Sequence, residues 1–128
     1  MEKENRLLLY KDLCCRLPYN VVIFNTEPDD PSVGFNSFLS GEMLDKLKND
    51  YDTNTYEFKP YLRSMDTMTE EEDHEYALLQ VYDGIHEDKF MIPWDASNLL
   101  DYLNRKGFDY RGLIPKGLAL EMPKELYV

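Results

Sequence analysis

Residues 5–17, NRLLLYKDLCCRL, space Leu7, Tyr10, Leu13, Cys14 and Leu17 three or four apart, the period of a helix with one apolar side. On that reading Lys11, Asp12 and Arg16 face water, Cys14 faces the core and Cys15 lies at its edge. Pro18 ends the helix, because the residue before a proline avoids helical backbone. Residues 20–26 are β-branched and aromatic and predict a strand. The run EPDDPS at 27–32 is a turn cluster. Residues 33–39 then return, with Val33, Phe35 and Ser37 alternating against Gly34, Asn36 and Phe38. The pattern predicts that the two strands pair but leaves their register open.

Residues 41–51 carry Met43, Leu44, Leu47 and Tyr51 at helical spacing, but the stretch is open to either a helix or a strand. Over 55–62, Tyr56, Phe58 and Leu62 alternate around Pro60, which predicts an edge strand ending at the proline. Thr69-Glu70-Glu71-Glu72 has the form of a capping box, Thr69 at the N-cap and Glu72 at the third helical position. Acids in a first turn also suit the positive end of the helix dipole. From there the pattern allows a helix to about Tyr82. It also allows a stop near Tyr76, with residues 78–82 pairing with 89–93 across Asp83-Gly84. Further on, Asp95 is placed to cap a helix through Arg105, with Leu99, Leu100 and Leu103 inward. Gly107 stands where a left-handed residue closes a helix, and Phe108 is placed to fold back on Leu103. Asp109 is placed to cap a further turn over 110–114, closed by Pro115 and Gly117. The fold class expected is α+β, a single small domain over residues 1–128 with a small antiparallel sheet and three or four helices.

A chain of 128 residues and 15.2 kDa has a folded surface of roughly 7,000 Å² against roughly 22,000 Å² when extended. A core of that size needs no disulfide or metal to hold it. The net charge of −11 argues against a surface for nucleic acid or for an anionic membrane. Ten of the 25 acids fall in residues 61–95, which hold two bases. The longest apolar run, Val21 to Phe24, is far below the ~20 residues of a membrane span. No secretory leader pattern precedes it. Cys14 and Cys15 are the only cysteines, and neighbours in sequence rarely meet disulfide geometry. A reducing cytoplasm is the expected location.

No nucleotide loop, zinc-protease motif or nucleophile elbow occurs. His74 and His86 with Glu70 fall short of a zinc ligand set. Asp50-x-Asp52-x-Asn54 begins like a calcium loop. It then places Thr55 where glycine is required and Tyr61 where the bidentate glutamate belongs. The cysteines have no neighbouring base to activate them. Pairs such as Asp29 with Asp30, or Asp95 with Asp101, are too common among 25 acids to mark a glycosidase. Catalytic, cofactor and metal residues are therefore expected to be none. Two surfaces remain as candidates for a protein partner. One is Tyr110, Arg111, Leu113 and Ile114 around Gly112, which mixes the residue types enriched in interface cores. The other is the acidic run Glu70, Glu71, Glu72, Asp73 and Glu75.

Three blocks carry a resemblance: KPYLRSM (59–65) leading into MTEEE (68–72); FDYRGLI followed by KGLALE (108–121); and KDLC with LPY (11–19). Together they resemble short uncharacterised proteins of gut Bacteroidales and of their prophages and mobile elements. The resemblance implies an accessory protein of a bacterial or phage genome and implies no mechanism. The function expected is a non-enzymatic interaction protein acting through protein contacts, with no direct contact to nucleic acid or membrane. Two other readings stand beside it: an acidic mimic that occupies a DNA-binding protein, and an enzyme assembled from scattered carboxylates.

Overall fold

The computed structural model describes residues 2–26, 33–49, 57–83 and 96–127. Among them run α1 (Lys3–Arg16), β1 (Val22–Thr26), β2 (Gly34–Phe38), α2 (Gly41–Asn49), β3 (Glu57–Leu62), α3 (Glu70–Asp83), α4 (Ala96–Lys106) and β4 (Leu120–Glu121). The sheet order is β2-β1-β3-β4. The α+β expectation holds. The first three strands are antiparallel, and β4 adds a two-residue parallel pair that makes the sheet mixed.

The register is closed by side-chain size and by one polar contact. Ile23 lies opposite Ser37 on one side and Pro60 on the other, and Asn25 lies between Phe35 and Phe58. The Asn25 amide donates to Ser37 Oγ at 2.9 Å and to the Phe35 carbonyl at 3.2 Å, which fixes β2 against β1. A one-residue slip would lose both bonds and turn Ile23 outward. On the reverse face the Phe24 ring lies over Gly34 and leaves no room for a Cβ there.

The proline did not end its strand at an edge. β3 continues to Leu62, with Pro60 fully buried, and β4 arrives from nearly sixty residues downstream to pair with Tyr61 and Leu62. That ladder begins one residue after Pro60, so the missing N–H removes nothing from it. The open stretch after Gly41 is a helix, with Leu44 and Leu47 buried and the Ser40 hydroxyl accepting from the Met43 amide. Its last carbonyls, those of Leu47 and Lys48, accept from the Arg6 guanidinium of α1, a cation at the negative end of the dipole.

α1 faces differently from its apolar spacing. Its buried stripe is Leu9, Asp12, Leu13 and Arg16, while Leu7 and Leu17 are about two-fifths exposed and Cys14 and Cys15 both face out. Asp12 and Arg16 were expected in water. They turn inward because they neutralise one another at i, i+4 and because further partners meet them inside. α3 runs unbroken to Asp83, so residues 78–82 are helical. In α4 the inward stripe is Leu99, Tyr102 and Leu103, and Leu100, one position round, is 43% exposed.

The ends of α4 and of the following turn were legible. Gly107 has φ +81°, its N–H reaches the Asn104 carbonyl, and the Phe108 N–H reaches that of Leu103, the paired bonds of a Schellman ending. Asp109 accepts from the Leu113 and Ile114 amides at 2.8 and 2.9 Å. One apolar cluster joins Leu9, Leu13, Ile23, Leu47, Leu62 and Leu113, and a second joins Tyr102, Leu103 and Phe108 between α3 and α4. Each fully buried leucine contributes about 1.5–3 kcal/mol. The turn at 27–32, Tyr56, the Asp50–Asn54 loop, His86, residues 89–93 and Asp95 lie outside the described residues.

Candidate functional site

The acidic run is built around its one inward member. At the start of α3 the Thr69 hydroxyl accepts from the Glu72 amide at 3.2 Å, and Glu72 Oε1 accepts from the Thr69 amide at 3.0 Å. The capping box is complete. The same carboxylate takes the Arg63 guanidinium two-pronged, 2.8 Å to each oxygen. Arg63 is 1% exposed and Glu72 7%. Lys106 of α4 stands 3.8 Å away on the open side.

Arg63 reaches Glu72 because its backbone is locked. Its N–H donates to the Gly107 carbonyl and its carbonyl accepts from the Asp109 amide, both at 2.7 Å. Its guanidinium is flanked by the rings of Phe108 and Tyr127, at 4.4 and 3.8 Å. Hydrogen bonds from Arg63 are the main reason the Glu72 carboxyl is held down to about 2; burial opposes them, and the Thr69 amide and Lys106 add to them. For Arg63, burial works against the charge, yet Glu72 and Tyr127 outweigh it and raise the guanidinium above its ordinary value.

Around this anchor the other acids divide from Glu72. Glu70, Glu71, Asp73 and Glu75 are exposed on the same helix start. Glu75 also lies by the Tyr102 hydroxyl. Burial first, then that neighbour, push the Tyr102 phenol up to about 12. Tyr102 in turn donates to the Glu72 carbonyl at 3.3 Å. The exposed carboxylates are thus carried on a helix end fixed from three sides.

The second candidate surface is placed otherwise. Leu113 is fully buried and Ile114 half-buried against the main core. The Tyr110 hydroxyl donates to Asn104 Oδ1 at 2.8 Å. Arg111 binds Asp12 Oδ1 at 3.2 Å and approaches Cys15 Sγ at 3.8 Å. Asp12 is also held by Arg16, at 2.7 and 3.1 Å, and Arg16 donates to the Phe108 carbonyl at 2.7 Å. Both arginines lie by the Tyr110 ring, at 5.1 Å. The structure therefore brings Tyr110 and Arg111 together with α1, in a contact the sequence did not signal. The sequence also missed Arg63, nine residues before Glu72. The available signal was an arginine just ahead of a capping box whose glutamate has two oxygens to share.

Among the described residues no three His, Cys, Asp or Glu side chains are grouped to hold a metal, and no helix is long and apolar enough to cross a membrane. In comparisons with family models, curated proteins and solved structures, nothing matches the chain.

Proposed function

We propose that the protein is a small cytoplasmic interaction protein, an accessory factor of a bacterial or mobile-element genome, and that it meets a basic protein partner through Glu70, Glu71, Asp73 and Glu75. The division of the acidic run carries this reading. Glu72 turns inward onto Arg63, while its four neighbours stay exposed on a helix start that the clamp immobilises. Fixed charges lose little conformational entropy on binding, and a single-sign cluster speeds encounter with an opposite one. Tyr110, Arg111 and Leu113 act within the fold on this reading, tying the segment after α4 to α1.

The test is capture of partners from a Bacteroides extract on the tagged chain at low and moderate salt. A parallel bait carries Glu70→Lys, Glu71→Lys and Asp73→Lys and keeps Glu72. A partner held by the native bait, and lost both from the variant and at the higher salt, is the expected result. A partner indifferent to charge and salt would overturn the reading.

A further inference from the structure

We propose that two copies of this chain join edge to edge through β2, antiparallel about a two-fold axis at Asn36. β2 stands at the end of the sheet, and β1 takes one of its two sides. The register shows which backbone groups the other side offers. The Leu39 amide donates to the Val21 carbonyl, so Ser37 with Ile23 and Phe35 with Asn25 are the further hydrogen-bonded pairs of that ladder. Pro60 agrees. It lies opposite Ile23 on the β3 side and has no N–H to give, so the Ile23 backbone turns toward Ser37. The N–H and C=O groups of Gly34, Asn36 and Phe38 therefore point away from β1, with no partner among the described residues.

Edge strands are ordinarily guarded against further pairing by a charge, a proline or a bulge. β2, GFNSF, has no charged residue and no proline, and its register with β1 runs without a bulge. Phe38 is 63% exposed, the most of any large apolar side chain among the described residues, and Val33 at the strand's entry is 46% exposed.

A second copy suits this edge because the edge is complementary to itself. With the axis at Asn36, Gly34 of each copy pairs with Phe38 of the other, and the two Asn36 residues pair together. Each of these pairs exchanges two backbone bonds. The Asn36 side chains meet at the axis, each bringing a donor and an acceptor for the other. The Phe38 ring comes beside a residue without a side chain, next to the Phe24 ring that lies over Gly34, as aromatic pairs prefer. The uncharged strand sets no like charges face to face, although the two chains repel as wholes at −11 each. A strand of five residues covers much less than the ~800 Å² per partner of a standard interface. The dimer is therefore weak, with a Kd of about 100 μM.

Sedimentation equilibrium and ¹⁵N amide shifts, followed from about 20 μM to about 1 mM, test this. The native chain should pass from monomer to dimer over that range, the Gly34, Asn36 and Phe38 amides shifting more than those of Ser37 and Leu39. Raising NaCl about tenfold should tighten the dimer by screening two net-negative chains, the reverse of the salt effect expected for the acidic run. Asn36→Pro removes one outward N–H and no bond to β1, and Phe38→Lys sets a charge on the edge. Each should keep the native far-UV spectrum and weaken the dimer at least about tenfold. A chain still monomeric at about 1 mM and high salt would overturn the proposal and leave the edge to a strand of another protein. So would a dimer indifferent to both substitutions, or concentration-dependent shifts confined to α3.

Discussion

Two arginines are buried in this protein, and the contrast between their sites shows what each does. At both, one carboxylate answers two cations: Glu72 between Arg63 and Lys106, Asp12 between Arg16 and Arg111. Among the described residues, one guanidinium nitrogen at each has no hydrogen-bond partner, Nε of Arg63 and Nη1 of Arg16. The sites touch at Phe108, whose carbonyl accepts from Arg16 and whose ring lies by Arg63. The carboxylates differ in their setting. Asp12 is fully enclosed within α1. Glu72 is buried at a helix start whose neighbouring residues in sequence, Thr69 to Glu71 and Asp73 to Glu75, are exposed. One pair fastens the interior. The other fastens a surface.

That difference can be broken apart by substitution. Asp12→Ala strips the carboxylate from two guanidiniums, one of them with no access to water. Urea unfolding should show a loss of about 3–5 kcal/mol. The next effect is acidity. The Glu72 carboxyl titrates near 4.5 when unfolded and about 2 when folded, so its contribution is present above pH 4.5 and disappears as the pH falls toward 2. The depression corresponds to about 3 kcal/mol. Stability measured against pH should fall by about that amount across this window, and the fall should flatten in Glu72→Gln. Thr69→Ala removes half of the capping box and should cost about 1 kcal/mol. The smallest effect belongs to the exposed acids: Glu70→Gln should stay within about 0.5 kcal/mol of the native chain. An equal loss at Glu70 and Thr69 would erase the distinction between anchor and surface.

The local signals in the sequence were the reliable ones. The capping box, the Schellman ending at Gly107 and the cap at Asp109 each depend on residues within five positions, and each forms. What the sequence hid depends on distance. α1 turned differently because Asp12 and Arg16 find Arg111 and Phe108 more than ninety residues away. No count of apolar spacing within a helix reports partners so remote. Pro60 suggested an edge because nothing near it announces β4. The acidic run was visible as a run. Its division into one structural and four exposed carboxylates depends on Arg63, whose backbone is paired with Gly107 and Asp109, more than forty residues downstream.

The central claim is that Glu72 is part of the fold's interior while its exposed neighbours are not. Urea unfolding of Glu72→Gln beside Glu71→Gln at neutral pH tests it most directly. The first should lose about 3 kcal/mol, since a buried guanidinium is left without its counter-charge, and the second should match the native chain. Equal stability of the two variants would contradict the account.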